Sequence, residues 1–303
     1  MKPRPILSDM PRHIKQKIVD FVWTRTNFRL RQCSKDLKTV AENSPVYFYC
    51  LAINVKHQYI QIGLEFERTG TGTTFHAANA IFDSISSPKN HVVEREDFVD
   101  GAVEHLMNTV RIGTISLENL VISLSDNEST TQEFLMKLAE SLAKVGKKVH
   151  VKRVIIDQGS FPVALDTLLL QFQNKKLENI NFTGPPSDSI ILCAETEQWK
   201  QAKRLSVKEV VQLPFVKLQH FKFLKLKIDH LNLDMVQRCV KNFLENPNCQ
   251  NWEFQFSSSD QNVIDQYLEQ FQLHYVWRRI PVPGKSEGLR VHMLHYFQIE
   301  REF

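Results

Sequence analysis

No stretch of the 303 residues approaches 18 consecutive apolar side chains, so no membrane-spanning helix is expected. Met1-Lys2-Pro3-Arg4-Pro5 runs into polar sequence without an apolar core, so no secretory signal is expected either. The five cysteines (Cys33, Cys50, Cys193, Cys239 and Cys249) are scattered, and no pair has the two-residue spacing of a zinc or redox motif. That distribution fits neither a disulfide framework nor a metal site and suits the reducing cytosol or nucleus. The glycine-rich stretch Thr69-Gly70-Thr71-Gly72-Thr73-Thr74 lacks the lysine and helix start of a phosphate-binding loop, and reads as a plain loop. His292 and His295 fall in a segment, Leu289 to Ile299, that reads as one strand, where residues three apart point to opposite faces. Cys33, Cys239 and Cys249 sit at apolar periodic positions and read as core, while Cys50 and Cys193 have no motif around them. Glu94, Glu96 and Asp97 lack calcium-loop spacing and suit a helix start. No catalytic residue, metal or cofactor is expected, and the chain reads as a non-enzyme.

What is present is unevenly charged. The net charge is +4, yet residues 1–60 hold eleven lysines and arginines against four acidic residues, a surplus of seven that leaves the rest at minus three. A basic head on a mildly acidic body suits an acidic partner. Residues 5–45 read as a pair of short helices. Pro11 stands in the first turn of one, followed by Ile14, Ile18, Phe21 and Val22, and Leu30, Cys33, Leu37 and Val40 form the second apolar stripe. So small a helical pair buries too little surface to stand alone and needs something to pack on. Residues 46–94 read as a β-rich connection, with strands over Tyr47–Val55 and Tyr59–Phe66 around a polar turn.

From residue 95 to 303 a short pattern, apolar-x-x-apolar-x-apolar, recurs six times. The copies are Leu117-Leu120-Ile122, Val151-Val154-Ile156, Leu177-Ile180-Phe182, Ala202-Leu205-Val207, Leu218-Phe221-Phe223 and Cys249-Trp252-Phe254. Helical stretches fill several gaps: Thr131–Lys144, Val163–Phe172, Asp234–Leu244 and Asn262–Leu273. Strand-helix units in series imply parallel strands with right-handed crossovers. The residue before each second anchor is polar throughout: Asn119, Arg153, Asn179, Arg204, His220 and Asn251. A sheet covered on both faces would be apolar there. The expected fold is therefore α/β: an N-terminal short-helix module, then a degenerate leucine-rich-repeat-like open solenoid with a mainly parallel sheet. Its bare face, carrying those six polar residues, is the expected target-binding surface. Lys217, Lys222, Lys225 and Lys227 interleave with Phe221 and Phe223, but both rings are expected to face inward, so direct nucleic-acid binding is not expected.

Met10-Pro11, with Ile14, Ile18 and Phe21, followed by Leu30-Arg31-Gln32-Cys33-Ser34-Lys35-Asp36-Leu37, resembles the F-box. Glu197-Gln198-Trp199-Lys200-Gln201-Ala202-Lys203-Arg204-Leu205, the lead-in Val93–Phe98 and the closing Tyr296–Glu300 resemble the FTH domain that typifies a large nematode family of F-box proteins. The resemblance implies a substrate-recognition adaptor of a Skp–cullin–F-box ubiquitin ligase. Met10, Pro11, Ile14, Ile18, Phe21, Leu30, Cys33 and Leu37 would face the Skp-type adaptor, which brings the cullin and RING subunits. Residues 95–303 would recruit a target protein. The alternative is a scaffold that tethers a partner, such as an RNA-binding regulator, without ligase assembly.

Overall fold

The computed structural model describes residues 10–11, 13–15, 39, 46–56, 58–66, 69–77, 90–95, 97–110, 115–124, 128–145, 149–157, 165–184, 189–269, 277–282, 288–293 and 296–302. They divide into two compact units. The first comprises Met1–Val154 with Pro162–Leu177, and the second Ile155–Phe161 with Glu178–Phe303.

The first unit is built on strands β1 (Val46–Val55), β2 (Tyr59–Phe66), β3 (Thr69–Ala77), β4 (Asn90–Arg95) and β5 (Ile115–Leu124). They lie in the order β4-β3-β2-β1-β5. The β1–β2 and β2–β3 pairs are antiparallel, while β3–β4 and β1–β5 are parallel. Strand β6 (His150–Asp157) starts in this unit. The stretch expected to be a loop at Thr69–Thr74 is instead most of β3, with Gly72 opposite Gly63. Alternating threonines favour extended backbone, and sequence reading gave the glycines too much weight there. The described residues of the unit also form helices α1 (Phe98–Val110), α2 (Glu128–Val145) and α3 (Leu165–Leu169). Helix α1 begins directly after Asp97, in keeping with the acidic helix start. Its Asp100 meets Lys137 of α2 at 2.8 Å, and the same ammonium reaches Glu133.

The second unit orders its own strands β7 (Asn179–Phe182), β8 (Arg204–Val210), β9 (Phe223–Leu231), β10 (Asn251–Ser259), β13 (Tyr296–Glu302), β12 (Gly288–Met293) and β11 (Trp277–Pro281) side by side. From β7 to β10 the pairs are parallel and in chain order, and the β10–β13–β12–β11 edge is an antiparallel meander. The single strand expected over Leu289–Ile299 is thus two strands of a hairpin, with His292 opposite Gln298. Helices α4 (Ser189–Cys193), α5 (Glu197–Gln201), α6 (Leu233–Glu245) and α7 (Gln261–Glu269) connect or follow the parallel strands.

One face of this sheet holds the core. Ile180, Phe182, Leu205, Val207, Leu224, Leu226, Trp252 and Phe254 are buried, with the register placing them in two rows. Trp199 of α5 packs edge-on against Phe221 at 5.5 Å, and Phe243 of α6 does the same on Trp252 at 5.4 Å. Both indoles find acceptors in the core: Trp199 Nε1 donates to Lys217 O and Trp252 Nε1 to Phe221 O, each at 3.0 Å. Helix α6 owes its position to a sequence stripe. Val236, Cys239, Val240 and Phe243 share its inner side, while Asn232 caps the start by accepting from Met235 N. The Cys239 and Cys249 thiols are buried, as core positions require. Desolvation raises both, Cys239 with a further push from Cys249, and Cys249 reaches about 11.

The repeated pattern has a backbone cause. Glu178 O accepts from both Lys203 N and Arg204 N. Lys203 O does the same for Lys222 N and Phe223 N, and Lys222 O for Gln250 N and Asn251 N. Two successive N–H groups converging on one carbonyl form a β-bulge, and here it recurs at the start of three consecutive strands. The bulge turns two neighbouring residues away from the core and lets the residue before them point inward. Hence apolar-x-x-apolar, where a regular strand would alternate. The true fifth copy is Phe221-Leu224-Leu226, three residues beyond the one expected from sequence. Leu218 is also buried, so both frames satisfy the pattern.

Candidate functional site

Opposite the helix-covered face of the second unit, the outward residues make a polar surface with a defined order. Cross-strand register places Asn179, Arg204, Phe223 and Asn251 in one row on four successive strands. Asn181, Ser206, Lys225 and Glu253 follow one step along. Of the six expected target-binding residues, Asn179, Arg204 and Asn251 therefore share this row.

His220 does not. It precedes β9 and is half-buried, its Nε2–H donating to Trp199 O at 3.0 Å and its ring 4.0 Å from that of Phe221. Burial lowers its pKa, partly offset by the Trp199 carbonyl. Its place in the row is taken by Phe223, which faces outward rather than into the core. Asn119 and Arg153 belong to the first unit. There, Asn119 Nδ2 donates to Tyr49 O at 3.1 Å and Arg153 lies 3.5 Å from Glu118, a carboxylate it shares with Lys152. Beside them on β1, Tyr47 and Tyr49 are 62% and 51% exposed, an aromatic pair that sequence reading took only as strand material.

Sequence reading also missed how the Phe223 row is organised. The Arg204 guanidinium lies 3.9 Å above the Phe223 ring. Lys225 bridges to Glu253 at 2.9 Å, and Asn251 Nδ2 donates to Glu300 at 3.3 Å. On the meander edge Glu302 binds Arg290 at 2.7 Å and Arg279 at 3.3 Å, with Arg279 crossing over Gly288, where a Cβ would strike it. The alternation that exposes Phe223 was readable: Lys222 to Asp229 carries Leu224, Leu226 and Ile228 on the other side.

A second cluster joins the ends of β9 and β10. His230 lies 2.9 Å from Ser258 Oγ through Nδ1 and 3.1 Å from Asp260 through Nε2. The residue types are those of a hydrolytic triad, but the wiring is reversed, with the carboxylate on Nε2 and the serine on Nδ1. The ring and carboxylate are close to half exposed, and the serine hydroxyl also points at Asp229 O. Asp260 O accepts from Ile264 N at the start of α7, so the cluster ties strand ends to a helix.

At the N-terminus, Ile14 and Lys15 N–H groups both donate to Pro11 O, forming a helical turn at Pro11 as expected. Met10 and Ile14 are half-buried and Pro11 exposed. Ile18, Phe21, Leu30, Cys33 and Leu37 lie outside the described residues. Among the described residues no group of three His, Cys, Asp or Glu could hold a metal, and no helix is long and apolar enough to cross a membrane.

A mixed α/β domain with a mainly parallel sheet, apolar and helix-covered on one face and polar on the other, is the class that this architecture defines. Residues 132–271 match the family model of the FTH domain. The match contains the Trp199 segment and the Arg204–Phe223 row, whereas Val93–Phe98 and Tyr296–Glu300 fall outside it. No curated protein and no solved structure matches the chain.

Proposed function

We propose that the chain is the substrate-recognition adaptor of a Skp–cullin–F-box ubiquitin ligase. Its N-terminal helices dock the Skp-type adaptor, and the polar face of its C-terminal sheet, the open side of a repeat-like solenoid, holds the target. The observation that carries the reading is the FTH match together with the exposed face within it. The Met10-Pro11 and Leu30–Leu37 motifs and the basic head supply the docking half, since F-box helices meet an acidic adaptor. On this reading the chain contributes no catalytic group. It raises the effective concentration of target near the ubiquitin-carrying subunits.

Co-purification of the full chain with a Skp-type adaptor and cullin tests it. Ile18→Asp puts an unpaired charge into the apolar docking stripe, at a cost of several kcal/mol. Adaptor capture should collapse while the chain stays folded by circular dichroism. A folded chain that holds its target yet captures no adaptor even as wild type would mark a scaffold instead.

A further inference from the structure

We infer that Arg204, set over the Phe223 ring, is the anion-reading position of the face, and that the segment it reads is an acidic peptide of a protein target. The inference deepens the target-binding half of the proposed function and rests on it.

Three observations converge. First, Arg204 makes no ion pair among the described residues, unlike Arg153, Lys203, Lys225 and Lys227, which all lie beside carboxylates. Second, its guanidinium stacks on Phe223 at 3.9 Å. The cation–π contact engages the guanidinium carbon, and among the described residues no hydrogen bond or ion pair takes up its N–H groups. The side chain is thus ordered before any ligand arrives, which lowers the entropy lost on binding. A planar fork fixed in this way takes a carboxylate bidentately. Third, the amide side chains of Asn179 and Asn251 stand in the same row, on the strands flanking the Arg204–Phe223 pair. With strands about 4.8 Å apart, the four residues span roughly 14 Å, the length of four or five extended residues. Asn251 Nδ2 already donates to Glu300, and its Oδ1 offers an acceptor beside the arginine for a peptide N–H.

The charges around the row favour a peptide over a nucleic acid. Lys208, four residues along the Arg204 strand, and Lys222, next to Phe223 in the chain, form no ion pair among the described residues. Glu253, Glu300 and Asp229 stand on the adjoining strands of the same unit. A continuous phosphate backbone would run into those carboxylates. One or two acidic side chains, set against Arg204, would not.

The experiment selects random displayed peptides on the immobilised full chain, then measures the enriched sequences as labelled synthetic peptides by fluorescence polarisation. The expected result is enrichment of Asp or Glu at a fixed position. Arg204→Ala should weaken the selected peptides by at least about tenfold. Arg204→Lys, which keeps charge but loses fork and stacking, should also weaken them, by about fivefold or more. Phe223→Leu should fall between wild type and Arg204→Ala, and Lys200→Ala, at a site paired with Glu197 on α5, should change nothing. Thermal midpoints confirm that the variants fold. Enriched peptides without an acidic position, or full binding by Arg204→Lys, would overturn the inference. So would single-stranded oligouridine binding that depends on Arg204 and displaces the peptides. The selection needs no adaptor. Repeating it on Ile18→Asp separates the two ideas, because a lost ligase role leaves the peptide preference in place.

Discussion

His220 lies between the Trp199 carbonyl and the Phe221 ring, and its burial couples protonation to folding. Its folded pKa lies below the ordinary value of 6.5, chiefly through burial. In the unfolded chain it takes up a proton first as pH falls, so acid favours unfolding. The stability held above 6.5 is lost progressively as pH drops from there toward the folded pKa. His105, His150 and His292 are lowered by burial in the same direction. His220→Gln keeps a donor for Trp199 O and cannot titrate. It should therefore flatten, without abolishing, the decline of the urea midpoint between about pH 7 and pH 5. An unchanged slope would mean that the ring is as solvated in the folded chain as in the unfolded one.

Helix α6 illustrates how one side chain from a distant strand completes an element. The carbonyls of a helix's last turn have no intrahelical partner, and here Phe243 is a buried member of that turn. Arg301 of β13, itself buried, donates to Phe243 O, to Asn246 O at 3.2 Å and to Cys249 O at 3.3 Å. A guanidinium there also suits the negative end of the helix dipole. Arg301→Met keeps much of the volume and removes all the donors, and should lower unfolding free energy by roughly 3 kcal/mol. Urea unfolding measures that loss, and amide exchange should accelerate first in the last turn of α6. None of this was visible in sequence, because Arg301 reads as one more charge in the alternating strand Tyr296–Glu302. The α6 stripe itself was legible, since Val236, Cys239, Val240 and Phe243 repeat at helical spacing. The fifth strand was placed three residues early because Leu218 and Phe221 are both core residues and the three-anchor pattern fits either frame; only the longer alternation from Lys222 to Asp229 separates them. That one slip hid Phe223 and with it the aromatic half of the Arg204 pair. Ion pairs such as Lys225–Glu253 depend on register between strands 28 residues apart in the chain, which periodicity alone does not supply.

For the whole molecule the charge distribution sets a further expectation. If the chain docks an acidic adaptor as proposed, the surplus of seven positive charges in residues 1–60 should make that capture electrostatically steered and salt-sensitive. Association measured by surface plasmon resonance should slow by about tenfold as salt rises from about 0.1 M to 0.5 M, where the screening length shortens to roughly half. Peptide binding at the Arg204 row, a short-range contact, should change less over the same range. An equal salt response at both sites would contradict this division of labour. The bulged carbonyls of Glu178, Lys203 and Lys222 carry a different consequence, one for how such a chain can vary. They fix where each strand begins against its neighbour, whatever lies between the strands. Between β8 and β9 the link includes only the three-residue turn of helix Phe215–Lys217, while between β9 and β10 it carries the thirteen residues of α6. Both links deliver the chain to the same alignment. Insertions and deletions in the connecting segments can therefore accumulate without shifting a single residue of the outer row.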